Sequence, residues 1–279
     1  MHILFDIGGT NTRIAISRDG DAFKEPRVVA TPQKFEEGIA LVGNIAKELI
    51  GAEKGSFDLS AAAGGIAGPF NREKTILVNA PNLPDWKGKP LKKELEDALG
   101  TTVILENDAA LAGIGEATVG AGKGKDIVAY MTVGTGVGGA RIVHGHIDES
   151  AFGFEPGHQY IQHALLGEDI KCWTLESLVS GSALQKRFDK DPREIADPAV
   201  WEDLAKLLAV GLHNTIVHWS PDIVVLGGSI IRSNPALPLD RIIFHLKNIH
   251  SIFGEPPPLV PSEHGDQSAL YGALVLLTR

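Results

Sequence analysis

Residues 6–13 read Asp6-Ile7-Gly8-Gly9-Thr10-Asn11-Thr12-Arg13, and this stretch decides the architecture. Ahead of it, residues 2–7 form a short apolar run of strand length; behind it, residues 12–17 alternate as a strand does. A glycine pair between two strands lets the backbone take positive φ and come close to another group. Its exposed N–H groups can then form an anion nest. Thr10 and Thr12 add hydroxyls, and Arg13 adds a cation. The plan recurs at residues 127–133 and 140–143, two predicted strands around Thr132-Val133-Gly134-Thr135-Gly136-Val137-Gly138-Gly139. A third pair, Gly227-Gly228, follows a buried strand at residues 223–226.

The segments between these turns extend the plan. Thr31-Pro32 reads as a helix N-cap with proline at the first helical position. Phe35, Ile39, Val42, Ile45, Ala46 and Leu49 follow at helical spacing, and Gly51 ends the run. Residues 58–66 read as a strand leading to Ala67-Gly68-Pro69. Pro90 opens a helix with Leu91, Leu95 and Leu99 on one face and Gly100 as its stop. A short strand at residues 103–105 delivers Glu106-Asn107-Asp108 to a helix over residues 109–119. The glycine-rich residues 120–125 form a linker. Helices are predicted over residues 198–219 and 268–277. The expectation is two α/β domains of one plan: residues 1–119 with the C-terminal helix at about 267–279, and residues 120–266.

Composition narrows the partners. The chain has 279 residues, 43% hydrophobic and 22% charged, with a net charge of −9. That acidity disfavours nucleic acid and anionic membrane as main partners, so any polyanion must be held locally by backbone N–H groups and a few cations. The single Cys172 allows no internal disulfide and no cysteine-built zinc site. No basic and apolar leader opens the chain, and no run approaches the ~18–20 apolar residues of a membrane span. A cytoplasmic protein is expected.

Two familiar phosphate motifs do not fit. Residues 134–139 match G-x-G-x-x-G, but that fingerprint needs a helix next, and a strand follows. No loop carries G-x-x-x-x-G-K-[ST], which excludes a P-loop enzyme. Asp108, at a strand-to-helix turn, has two readings of equal standing: an N-cap, or a carboxylate presented at a strand end for proton transfer.

Taken together, the motifs resemble the ROK family of sugar kinases, repressors and open reading frames. Asp6, Gly8, Gly9, Thr10 and Arg13 are similar to its first phosphate loop, and residues 134–139 to its second. Asn82-Leu83-Pro84-Asp85-Trp86 resembles its sugar-side stretch, and Glu106-Asn107-Asp108-Ala109 its catalytic turn. Glu155-Pro156-Gly157-His158, then Leu175-Glu176 with Ser180-Gly181, and the run from Pro221-Asp222 to Gly228, resemble its remaining signatures. The likeness spans residues 2 to about 276.

The resemblance implies an actin-like ATPase (ribonuclease H-like) fold, two α/β domains around a cleft that closes to exclude water. It implies ATP-dependent phosphorylation of the 6-hydroxyl of a hexose, glucose favoured, with Asp108 as general base. N-acetylhexosamine or fructose kinases, and an inactive sugar-binding regulator, are the alternatives. Sugar would meet Asn82, Asn107, Asp108, Glu155, His158 and Glu176. ATP would meet Asp6, Gly8, Gly9, Thr10, Asn11, Thr12, Arg13, Gly134, Thr135, Gly136, Gly227 and Gly228. Mg²⁺ would bridge the phosphates through water near Asp6. A homodimer is also implied. The family's repressors carry a helix-turn-helix ahead of the first loop, for which Asp6 leaves no room.

One departure stands out. The family's zinc-binding cysteines would fall at Gly167, Asp169 and Thr174, so no structural zinc is expected. A substitute site would have to use His158, His163 and Cys172.

Overall fold

A computed structural model describes residues 1–53, 58–162 and 173–279. The chain runs β1 (His2–Ile7), β2 (Asn11–Ser17), β3 (Arg27–Ala30), α1 (Phe35–Gly51), β4 (Ala61–Ile66), α2 (Leu91–Leu99), β5 (Val103–Asn107) and α3 (Asp108–Val119). It continues through β6 (Ile127–Val133), β7 (Val137–Val143), β8 (His146–Ile147), α4 (Leu175–Val179), α5 (Gly181–Phe188), α6 (Pro198–Trp219) and β9 (Ile223–Gly227). It closes with α7 (Ser229–Arg232), α8 (Leu239–Ile249), β10 (Leu259–Pro261) and α9 (Ser268–Leu277). Two compact units emerge. One is Met1–Thr118 with Glu149–Gly153 and Gln267–Arg279; the other is Val119–Asp148 with Phe154–Asp266.

Each unit is built on a five-stranded sheet. The first has the order β3-β2-β1-β4-β5 and the second β10-β9-β6-β7-β8. In each, a hairpin supplies antiparallel strands (β1 with β2, β6 with β7), and later strands add in parallel (β4 and β5; β9 and β10). Read from the hairpin side, both sheets follow the same path, so the recurrence seen in the sequence is a recurrence of topology. Parallel strands read as continuous apolar runs because both faces are covered. Ile3, Leu4, Phe5 and Ile7 of β1, and Val224, Val225 and Leu226 of β9, are fully buried.

In the first unit α1 and α2 supply Phe35, Ile39, Val42, Leu91 and Leu95 to one core, into which Trp86 is sunk. Gly38 makes that possible, since a Cβ there would lie 2.2 Å from the indole. Strand register aligns the polar residues near the carboxyl ends of this sheet. Asp6, Gly65 and Glu106 form one row across β1, β4 and β5, and Ile7, Ile66 and Asn107 the next. In the second unit the long α6 buries Leu204, Leu208 and Leu212 against the sheet and α4.

Local expectations needed adjustment in a few places. Thr31-Pro32 does not start α1, which begins at Phe35 after Lys34 with no side-chain cap of its own. The Thr31 hydroxyl is drawn instead to the first glycine turn, and Asp85 Oδ2 accepts the Phe35 N–H at 2.9 Å from a distant loop. Strand β4 begins at Ala61 rather than residue 58, and β7 begins at Val137, because hairpin pairing with β6 reaches back to Val133↔Val137. Strand β5 runs on through Glu106 and Asn107 because both pair with β4.

Candidate active site

The first glycine turn follows β1. The Gly8 N–H donates to the Asn11 carbonyl at 2.9 Å and closes the turn. The Thr31 hydroxyl donates to the Gly8 carbonyl at 2.8 Å. Its proton is thereby used, so the Thr12 hydroxyl donates to Thr31 Oγ1 at 2.9 Å. Thr12 is buried behind the turn, whereas Thr10 and Asn11 are exposed on it. Asp6 lies near the end of β1, with Arg13 Nη1 3.6 Å from its Oδ2. Gly9 has a steric reason to be glycine: a Cβ there would lie 2.5 Å from the Asn82 Cβ. The structure therefore brings Asn82, from the Asn82-to-Trp86 segment, directly onto this turn. Asp85, through its bond to Phe35 N–H, ties that segment to α1.

The second cluster of this unit lies at the carboxyl ends of β4 and β5. Asn107 Oδ1 accepts from the Ala109 and Ala110 N–H groups at 3.0 and 3.1 Å, and its Nδ2 donates to the Gly68 carbonyl at 3.2 Å. Asn107 is thus the N-cap of α3. Asp108 is released from that duty. Its Oδ1 accepts the adjacent Ala109 N–H at 2.9 Å, and no other residue among those described hydrogen-bonds its side chain. Burial pushes the Asp108 carboxyl above the usual aspartate range, opposed by the backbone N–H groups of Ala109 and Asp108. The backbone of Asp108 sits over Gly65, where a Cβ would lie 3.0 Å from the Asp108 Cα. Such a carboxylate can accept a proton from a bound hydroxyl.

In the second unit, the turn at residues 134–136 is closed by the Gly134 N–H donating to the Gly136 carbonyl at 2.9 Å. It is braced from outside by the segment at residues 175–182. Glu176 Oε2 accepts the Val137 N–H at 2.7 Å; the Gly181 N–H donates to the Gly134 carbonyl at 2.7 Å, and Ser182 N–H to Thr135 carbonyl at 3.2 Å. Glu155 and His158 flank the turn Pro156–His158 and are exposed. That turn is set on β7 by Gly157, whose Cβ would lie 2.1 Å from the Val137 carbonyl oxygen. So Glu155, His158 and Glu176 gather around the start of β7. Gly227 and Gly228 end β9 beside β6: a Cβ on either would fall 2.3 Å from Tyr130 Oη or the Val133 carbonyl. Gly228 also holds a φ of 91°, open only to glycine without strain.

Of the substitute metal set, His163 and Cys172 lie outside the described residues. Thr174, which stands where the family has a cysteine, caps α4 by accepting the Ser177 N–H at 3.2 Å. Four contributors escaped sequence reading. Thr31 and Asp85 act through folding contacts that no spacing announces. Gly65 lay inside an apolar run. Lys74, whose ammonium pairs with Glu106, sits in a loop without periodicity. Among the described residues, no helix is long and apolar enough to cross a membrane.

Comparison with known proteins identifies the family and the fold. The ROK family model matches residues 3–279. A glucokinase of Thermotoga maritima is 28% identical over 267 residues, 83% of each chain. Among solved structures, a ROK hexokinase from Thermus thermophilus aligns with a TM-score of 0.76 at 27% identity, covering 98% of this chain and 96% of that one. A ROK family glucokinase from Streptomyces griseus, in complex with glucose and AMPPNP, aligns with a TM-score of 0.80 at 25% identity, covering 99% and 98%. The fold is that of the actin-like ATPases.

Proposed function

Because the chain belongs to the ROK family, we propose that it transfers the γ-phosphoryl group of ATP to the 6-hydroxyl of a hexose, with Asp108 as general base. Glucose is the favoured hexose, in line with the named relatives. The observation that carries the reading is the division of labour at the end of β5. Asn107 caps the helix, and among the other described residues only Ala109 hydrogen-bonds the Asp108 side chain.

In the transfer, Asp108 takes the proton of the 6-hydroxyl as its oxygen bonds to the γ-phosphorus. The bond from that phosphorus to the β,γ-bridging oxygen breaks, and ADP leaves with the electron pair. A sugar hydroxyl is a weak nucleophile at neutral pH, and general-base help of this kind is worth about 10²–10⁴-fold. The remainder is alignment and charge neutralisation. The turns at residues 8–13 and 134–136 offer backbone N–H groups and the exposed Thr10 and Thr135 to the phosphates. Arg13 adds a cation beside Asp6. Asp6 is the carboxylate at the first turn that would meet the water shell of a Mg²⁺ bound with ATP, an ion that would supply charge neutralisation of the phosphate oxygens. Asn82, Glu155, His158 and Glu176 offer the mixed donors and acceptors that ring hydroxyls need. Asn107 retains only the second hydrogen of Nδ2 for that purpose.

The test is ADP release with Mg-ATP across glucose, mannose, fructose, N-acetylglucosamine and N-acetylmannosamine, with Asp108→Asn alongside. Sugar-dependent turnover that falls at least ~10²-fold in the variant is expected. Sugar binding without turnover in the parent protein would replace the kinase reading with that of a regulator.

A further inference from the structure

We propose that the ion pair between Lys74 and Glu106 is a positioning device for Asp108 that also sets the pH at which it works as a base. The proposal rests on Asp108 being the base of the phosphoryl transfer.

Glu106 is a buried carboxylate in the residue pair that leads directly into Asp108. Its Oε1 accepts the N–H of Asn107 at 2.9 Å, so it fixes the peptide from which Asn107 caps α3. Its Oε2 receives the ammonium of Lys74. That ammonium is presented by a turn built for it. Asn71 Oδ1 accepts the Thr75 and Ile76 N–H groups at 2.8 and 3.0 Å, and Asn71 N–H returns to the Ile76 carbonyl at 3.1 Å. Lys74 itself holds a φ of 51°, a left-handed conformation that a lysine rarely adopts. The turn tolerates that conformation, and its side chain reaches across 32 positions of sequence to one carboxylate.

The sheet register explains why this matters for the base. Arg13, Asp6, Gly65 and Glu106 occupy one row, so Asp6 and Glu106 project from the same face, two strands apart. Asp108 lies over Gly65, between them. Its backbone therefore lies over the strand between the two that carry these carboxylates, each with its own cation: Arg13 at Asp6 and Lys74 at Glu106. Nearby negative charge disfavours a carboxylate, and a cation on that charge relieves the effect. Helix α9 packs on α3 through Gly115 and Gly272. Helix α9 carries no acidic or basic side chain. Glu116, two turns along α3, is bonded by Ser268. Lys74 thus keeps Asp108 competent as a base by balancing Glu106, and Glu106 in turn orients the peptide before it.

The experiment is the pH profile of kcat/KM for the sugar in the full-length protein. Lys74→Met leaves Glu106 unbalanced and should move the acid limb to higher pH. Glu106→Gln keeps an acceptor for the Asn107 N–H but removes the charge, and should move the limb lower. A displacement of about half a pH unit is expected in each direction. Lys74→Arg should restore the parent profile, and the Lys74→Met/Glu106→Gln pair should return towards it. A merely structural role would lower stability or kcat without moving the limb. An unmoved limb in both Lys74→Met and Glu106→Gln, or movement of the two in the same direction, overturns the proposal. Retained activity in Asp108→Asn would instead refute the base itself, which separates the two failures.

Discussion

Gly65→Ala tests how tightly the candidate base is placed. The added Cβ would lie 3.0 Å from the Asp108 Cα, 3.3 Å from Leu111 Cδ2 and 3.5 Å from the Asp108 Cβ. Ordinary contact begins near 3.4 Å, and the tightest neighbour is backbone at the start of a capped helix. That backbone must retreat by about 0.5 Å, because β4 is held on both sides by β1 and β5. Misplacement of a reacting group by about 1 Å costs about 10²-fold in rate, so half of that predicts a kcat loss of about 10-fold. Overpacking of this size costs about 1–2 kcal/mol, offset by about 0.5–1 kcal/mol from replacing a strand glycine. The melting temperature should therefore move by only a few degrees. The assay is kcat at saturating ATP and sugar, set beside thermal unfolding. Gly64→Ala is the contrast, since its Cβ would meet the Phe5 ring at 2.0 Å in the core and should cost stability first. Full kcat in a folded Gly65→Ala protein would refute the idea that this glycine sets the height of Asp108 above the sheet.

Other expectations come from single contacts. Glu176→Gln weakens the charged acceptor that holds Val137 N–H, a loss of about 1–2 kcal/mol, and should raise KM for ATP about 5–20-fold as well as KM for sugar; a change confined to the sugar would confine Glu176 to sugar binding. Thr31→Ala removes the donor to the Gly8 carbonyl and the acceptor for buried Thr12, so about 1–3 kcal/mol of stability should go, with a weaker ATP affinity read by titration calorimetry. Asp108→Asn should unfold at a higher temperature than the parent at pH 7 while losing activity. The folded-state carboxyl titrates above its unfolded value, so ionisation opposes folding once pH exceeds the ordinary aspartate range, and that opposition is complete above the raised value. The variant's advantage should therefore shrink as pH falls towards the ordinary range, and an advantage that grows with acid would contradict the burial argument.

What was legible in the sequence was whatever repeats or is local. The strands at residues 2–7 and 127–133, and helices α6 and α9, follow from apolar pattern and glycine or proline punctuation alone. The two sheets share one path because two hairpins, each with a glycine turn, seed two parallel additions. The start of α1 was not legible, because its first N–H is satisfied by Asp85, 50 positions away, and Thr31 is engaged elsewhere. The same holds for Lys74, whose meaning depends on a register that puts Glu106 in the row of Asp6.

The residues around Asp108 show why such features resist reading along the chain. Sequence alone left it balanced between cap and base. Folding gives the cap to its neighbour, because Asn107 sits in strand β5 with its Oδ1 over the first amides of α3 and can serve both N–H groups at once. A carboxylate in that position would have gained the favourable helix end for its charge and been stabilised as an anion. At Asp108 the burial of the carboxyl wins over the backbone donors, and the anion is held above its preferred range. Moving the capping task to a neutral amide leaves a carboxylate with a raised affinity for a proton, the property that the proposed general base needs.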